Sequence, residues 1–430
     1  MKIRNVAIFG GNGTIGSLMC GLIAGLGNAN VYLISRDKKK LDEKLLDKIY
    51  TSIKSDCIDK QIILCDYQDA KKILKYCDWI FESVAEEYGI KQAVYQVINE
   101  YAKKEAIITT GTSGLSIHKL SESFSEERKS HFFGTHFFNP PYHMSLCEIV
   151  ITEYTNYQEV VQMKQYLEQV LLRTTVISKD NSAFIANRIG FKLMNDLLLL
   201  AEQYREKGGI DYIDSFFTGY TGRSMQPLAT IDFVGLDIHK AIVDNIKSQT
   251  QDEFQNSFIL PKWFERHIKR GSLGNKVGKG LYKKEGNVKY VYDITSENYI
   301  PKRKYEWKEI IEIEKLIRNG EYVLAYKELL NGLSPEKQIV IKTLVEYIIY
   351  SLYIGKITAQ KIEDCDDAMV NGFGWCPPIA LKELIDEAGS FKKLCSKYID
   401  DTIMKKYEID KMIDNLPKSK YDYRKYIKAI

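Results

Sequence analysis

An α/β domain with a parallel-rich sheet, followed by two all-α domains, is the architecture this sequence predicts, on three observations. Over residues 1–180 short apolar runs alternate with amphipathic segments. From Asn181 the apolar residues recur at three- and four-residue spacing. Two stretches of the second half also repeat one another. The first pattern is that of β-α-β units around a parallel sheet, and the second is that of helices that bury one face. A chain of 430 residues is expected to fold as about two to three domains.

The predicted strands are VAIF (6–9), VYLIS (31–35), QIILC (61–65), WIFE (79–82) and AIITT (106–110). The first helical period, SAFIANRIGFKLMNDLLLLAEQYREKGG (182–209), is expected to stop at Gly208-Gly209, where the chain can turn at positive φ. Residues 287–310 are polar and aromatic without clear periodicity, and read as a linker that leads into further helices. The expected division is a dinucleotide-binding domain at 1–180, a first helical domain at 181–290, a linker and helical segment at 291–330, and a second helical domain at 331–430. Residues 210–235 and 362–389 share Ile-x-x-x-Asp, a glycine-bearing turn, a later proline and an apolar helix ending in Gly, so the helical domain reads as duplicated.

Composition narrows the function. A chain with 45% hydrophobic and 27% charged residues is globular in type. No apolar run reads as a bilayer span, so no membrane partner is expected. A net charge of +4 in short, interleaved clusters does not call for nucleic acid. Eight scattered cysteines with no CxxC pair read as reduced thiols, so no metal is expected. The N-terminus enters an apolar strand without a signal-peptide pattern, from which a cytoplasmic location is expected.

The strongest motif is VAIFGGNGTIG, which sets Gly11, Gly13 and Gly16, with Thr14 and Ile15 between the last two, directly after the first strand. In G-x-G-x-x-G the first glycine allows the turn, the second lets backbone approach a pyrophosphate, and the third lets helix and strand pack closely. The phosphates then sit on unpaired N–H groups at the helix start. An Asp or Glu at the end of the second strand ordinarily binds the ribose 2′-hydroxyl of NAD; here Ser35-Arg36 stands instead. With no carboxylate there and a cation beside it, NAD and NADP both remain open.

GTHFFNPPYHMSLCEIV (134–150) places His136 and Glu148 on either side of a prolyl turn. Taken alone, these residues favour a strand histidine with a surface carboxylate over a base with the group that orients it. Among the six histidines, His136 alone combines a strand position, a downstream carboxylate and the glycine-loop context; His143, within the turn, is its nearest rival.

These motifs, with FESVAEEYGIKQAVY (81–95), TGTSGL (110–115), DNSAFIANRI (180–189), FVGLD (233–237) and GSLGNKVGKGLY (271–282), together resemble the 3-hydroxyacyl-CoA dehydrogenase family, in order, over residues 1 to about 285. The resemblance implies a Rossmann domain followed by two 6-phosphogluconate-dehydrogenase-like helical domains, and hydride transfer between domains. It implies His136 as general base, Glu148 as its orienting carboxylate, and Ser113 and Asn187 holding the reacting oxygen. Glu86 and Lys91 would contact the nicotinamide half of NAD or NADP.

The substrate so implied is an acyl-CoA thioester. The stretch between Ser35 and Glu82 is shorter than the helical hairpin the family carries there for the CoA nucleotide, so an acyl-carrier-protein thioester is the alternative. A non-catalytic dinucleotide-binding relative is the alternative of another class. Gly111 and Gly114 stand where the family has Asn and Ser, and Pro141-Tyr142 alters its Asn-Pro-x-Pro turn. A duplicated helical domain is expected to cover within one chain the surface that pairs subunits in single-copy members, giving a monomer or a homodimer built on other surfaces.

Overall fold

Strand β1 (Asn5–Phe9) is buried at every position after the first, as a central parallel strand with helices on both sides must be. It begins the first of two units in the computed structural model, which describes residues 2–429. After β1 come α1 (Thr14–Gly25), β2 (Asn30–Ile34), α2 (Glu43–Ile53), β3 (Ile62–Cys65), α3 (Tyr67–Ile73), β4 (Trp79–Glu82), α4 (Tyr88–Tyr101) and β5 (Ile107–Thr110). The sheet is completed by β6 (Phe132–Phe137), β7 (Leu146–Ile151) and β8 (Thr174–Lys179). All five strands expected from the sequence are present.

The eight strands lie in the order β3-β2-β1-β4-β5-β6-β7-β8, and every neighbouring pair is parallel except β6–β7. The parallel-rich Rossmann sheet expected from the sequence is therefore borne out. The chain runs from β1 outward to β3, then crosses back to β4 on the other side of β1. Such a reversal opens a crevice beyond the carboxyl ends of the strands, where α/β sheets bind ligands. One core packs α1 (Met19, Leu22, Ile23) against one sheet face, and a second packs α4 (Val94, Tyr95, Ile98) against the other. Fully buried Trp79 spends its only polar group on Thr109 Oγ1 at 2.8 Å, so its large apolar area is hidden without an orphaned N–H.

Between β2 and β3 the structure has a single α-helix, α2, and no helical hairpin. It starts on Asp42, whose Oδ1 accepts from Leu45 N at 2.9 Å, and ends on Lys54 at positive φ. Thr358–Gln360 join this unit, Ala359 bridging to Ser178.

The second unit holds Ile185–Ile357 and the residues from Lys361 onward. It is one unit by its internal contacts, where the sequence reading drew separate domains at 181–290 and 331–430. The reason lies in the repeats. Asp214 accepts from Leu228 N at 2.9 Å and Ala229 N at 3.0 Å, at the start of helix Pro227–Val234. Asp366 accepts from Ile379 N at 2.8 Å, at the start of helix Pro378–Ala388. The same device, an aspartate one helix upstream capping a proline-led helix, thus occurs in both copies. The copies meet turn to turn, Cys376 N donating to Gly222 O at 2.8 Å. Buried Arg223 lies over the rings of Tyr347 and Trp375, at 4.9 and 4.7 Å. The two repeats thus pack against one another within the second unit.

One further expectation is corrected. The segment read as a linker pairs into an antiparallel sheet of β9 (Tyr282–Glu285), β10 (Val288–Asp293) and β11 (Asn298–Pro301). Its aromatic and β-branched residues favour strands, but Val291, Tyr292 and Asp293 are buried in succession, which erases the two-residue alternation that would have marked it. Helix Pro335–Thr358 is long and apolar enough to span a membrane by length and composition, although no span was read from the sequence. Of its most apolar window 78% is buried in the protein, as in a core helix.

Burial raises Asp366 from an ordinary 3.8 to about 7, against hydrogen bonds from Ser419 and Ile379 that oppose the rise. A carboxyl raised on folding adds stability below its unfolded value, and this is lost as pH climbs through the folded value. An Asp366→Asn variant keeps an acceptor for Ile379 N and cannot ionise. Its stability relative to the wild type, followed by melting temperature, should therefore rise between about pH 4 and pH 8, by on the order of 4 kcal/mol. A pH-independent difference would show that Asp366 does not titrate in that window.

Candidate active site

Beyond the carboxyl ends of β1, β2 and β4 lies a cleft of about 240 Å³ lined by Gly10, Asn12, Gly13, Ser35, Arg36, Asp37, Lys40, Tyr67, Ser83, Val84, Ala85 and Ile90. Gly10 N and Gly11 N both donate to Ile34 O, at 3.1 and 2.9 Å, which turns the chain sharply out of the sheet. Gly10, outside the predicted glycine pattern, has φ +84° and would drive a Cβ into Ser83 O, so only glycine serves there. A Cβ on Gly16 would lie 2.5 Å from Gly10 O, which fits the close helix packing read from the sequence. Thr14 and Ile15 open α1, with Gly13 as its extended N-cap. Bare backbone, an open cleft and the head of α1 together fit a dinucleotide pyrophosphate.

On the far side of β4 a buried ionic network holds the next loop. Glu82, at the end of β4, accepts from Lys91 Nζ at 2.8 and 3.1 Å, Tyr95 Oη at 2.7 Å, Thr110 Oγ1 at 2.7 Å and Val84 N at 2.7 Å. Lys91 also lies 3.5 Å from Glu86. Glu86 in turn accepts from Thr112 Oγ1 at 2.5 Å, Ser113 N at 2.7 Å and Gly114 N at 3.1 Å. Glu86, Lys91 and Ser113 are thus joined, with Glu86 shaping the turn that carries Ser113. Glu82, Thr110 and Tyr95 were missed from sequence because each reads as an ordinary strand or helix residue. Gly111 is explained by Phe81, whose ring would be 2.9 Å from a Cβ there.

His136 and Glu148 are direct partners across β6 and β7, and Nδ1 lies 2.6 Å from Oε2. Both side chains are buried, at 4% and 0% exposure. The rings of Phe138 and Phe184 stand 4.6 and 5.5 Å from the imidazole. Phe184 and Ala183 both hold positive φ, 55° and 57°, a conformation bulky residues seldom adopt, and one found where a loop must fix a side chain. Tyr142 ties the turn between the strands to α1 through Leu18 O, at 2.7 Å.

The other histidines separate on position. His131 also meets a glutamate, Glu159 at 2.7 Å, but it precedes β6 at the amino edge of the sheet. His136 lies near the carboxyl end of β6, the edge where β1 and β4 open the cleft. His143 is exposed in the turn, and His118 pairs with Glu153 on the surface. In the second unit His239 is fully buried, and burial lowers it to about 3. His267 there donates from Nε2 to Gly280 O at 2.8 Å. Asn187 stands on the first turn of helix Ala186–Gln203, also in the second unit and buried.

Residues 5–181 match the sequence profile described as 3-hydroxyacyl-CoA dehydrogenase, NAD binding domain, and residues 184–284 match that of the family's C-terminal domain. A probable 3-hydroxyacyl-CoA dehydrogenase of Deinococcus radiodurans is 31% identical over 304 residues, covering 67% of this chain and 85% of that protein. The chain belongs to the 3-hydroxyacyl-CoA dehydrogenase family. A second family relative, a probable 3-hydroxyacyl-CoA dehydrogenase of Bacillus subtilis, is 31% identical over 310 residues, 71% of this chain. The match spans only 38% of that longer protein. The fold of the family extends past the profile matches. The crystal structure of 3-hydroxybutyryl-CoA dehydrogenase from Escherichia coli, at 17% identity, superposes with a TM-score of 0.69 over 96% of this chain and 98% of its own.

Proposed function

We propose that this chain is an NAD(P)-dependent dehydrogenase that interconverts a 3-hydroxyacyl-CoA and its 3-oxoacyl-CoA, with His136 as general base. The observation that carries this reading is the buried His136–Glu148 pair near the carboxyl edge of the sheet. A secondary alcohol is a very weak acid, so its proton must pass to a base within hydrogen-bond reach as hydride leaves the carbon. With Nδ1 donating to Glu148, Nε2 is left as the acceptor, and Glu148 stabilises the imidazolium once it forms. In the reverse direction the same imidazolium returns the proton to the forming alkoxide. Bound NAD(P) supplies hydride acceptance and donation. Gly10, Gly13 and the head of α1 hold its pyrophosphate, and the Glu82–Lys91–Glu86 network fixes the turn bearing Ser113. Ser113 holds the reacting oxygen.

The test is acetoacetyl-CoA reduction followed through the absorbance of NADH or NADPH. Turnover with either is expected, and failure with both, using CoA and carrier-protein thioesters alike, would sink the proposal. One observation favours a second substrate reading: α2 stands alone between β2 and β3, where the family resemblance implies a hairpin that holds the CoA nucleotide. On that reading the acyl group rides on a carrier protein, and acetoacetyl-carrier protein outpaces acetoacetyl-CoA.

A further inference from the structure

We propose that the cofactor cleft selects NADP(H) over NAD(H), through Arg36 and Lys40 acting where Ser35 leaves no carboxylate. The inference rests on the dehydrogenase reading and deepens it. Ser35 occupies the end of β2, where an NAD site carries the acid that binds the ribose 2′-hydroxyl. Its buried hydroxyl is directed at Asn12 Oδ1, 3.2 Å away, in the glycine loop. Arg36 and Lys40 line the same cleft. Neither has an ion-pair partner among the described residues, whereas Lys38 of the same basic run is taken by Asp69 at 3.0 Å. Asp37, the one carboxylate on this rim among the described residues, has its Oδ1 engaged by Lys39 N at 3.0 Å. Two cations therefore face the cleft against one carboxylate.

A 2′-hydroxyl has no use for two cations. A 2′-phosphate is a dianion or nearly so, and its oxygens match the planar fork of a guanidinium, with an ammonium as a second point charge. Ser35 adds a small neutral neighbour that neither repels the phosphate nor fills its space. The two basic residues and the serine thus form one recognition element, set at the end of β2 by the short turn that leads to α2.

The test is fluorescence titration of the full chain with NADPH and with NADH, alongside competition by 2′,5′-ADP and 5′-AMP. NADPH should bind about tenfold or more tightly, and 2′,5′-ADP should displace it where 5′-AMP does not. Arg36→Ala and Lys40→Ala should each bring the preference toward parity by weakening NADPH alone, and Ser35→Asp should reverse it. NADH binding as tightly as NADPH, or a preference unmoved by Arg36→Ala, would overturn the inference and leave the dehydrogenase reading standing. Binding of neither dinucleotide would overturn both.

Discussion

His136→Asn lowers kcat for acetoacetyl-CoA reduction by about a hundred- to ten-thousandfold, while the affinity for NADPH or NADH stays within about threefold of the wild type. The asparagine amide can occupy the place of Nδ1 and donate to Glu148, so the buried carboxylate keeps a hydrogen bond and the strands keep their register. What is lost is Nε2, the only atom of the side chain that can take the alcohol's proton. A plain His136→Ala change would also open a void between Phe138 and Phe184, confusing lost chemistry with lost packing. Steady-state kinetics paired with cofactor titration separates the two. A kcat within tenfold of wild type would remove His136 from the proposed mechanism.

Lys91→Met destabilises the first unit by about 3–5 kcal/mol, enough to lower its melting temperature by roughly 10 °C. The ammonium and the Glu82 carboxylate are both buried, at 1% and 0% exposure. Each lost its hydration on folding, and the cost is offset only because they face one another. Removing the lysine leaves Glu82 charged in the interior with hydrogen bonds from Tyr95, Thr110 and Val84 but no counter-charge. The double variant Lys91→Met/Glu82→Gln should recover at least half of the loss, since it removes the stranded charge. Thermal unfolding of both variants checks this; a double variant no more stable than the single one would point to packing. Because Glu86 also leans on Lys91, the single variant is expected to loosen the 112–114 turn as well.

The two units differ in how far they could be read ahead. The strands of the first unit announce themselves as apolar runs because both faces are covered, and burial on both faces requires apolar residues throughout. The glycine loop was legible for the same kind of reason: close backbone approach tolerates few side chains. Gly10 was missed because a motif records spacing, whereas its constraint comes from Ser83, far along the chain. The network around Glu82 was hidden similarly, since a glutamate ending an apolar strand looks like any strand terminus until Lys91, Tyr95 and Thr110 converge on it. In the second unit the paired Asp-to-helix caps were visible as a repeat, yet the packing of the repeats against one another was not.

By itself the sequence determined the first five strands of the first unit and the dinucleotide loop, and it offered a histidine and a glutamate across a turn as one of two readings. Each depends on spacing along the chain or on local backbone needs, which residues i to i+12 express directly. Tertiary structure alone decided that His136 lies near the carboxyl edge while His131, with a glutamate of its own, lies at the other. It alone decided that Lys91 serves Glu82, that Arg36 and Lys40 share a cleft with Ser35, and that residues 282–301 form a sheet. These facts depend on which distant groups meet and on which charges have already found partners. A linear pattern carries the capacity for such contacts, and the fold selects among them by burial, because a buried charge or polar group without a partner costs too much to persist.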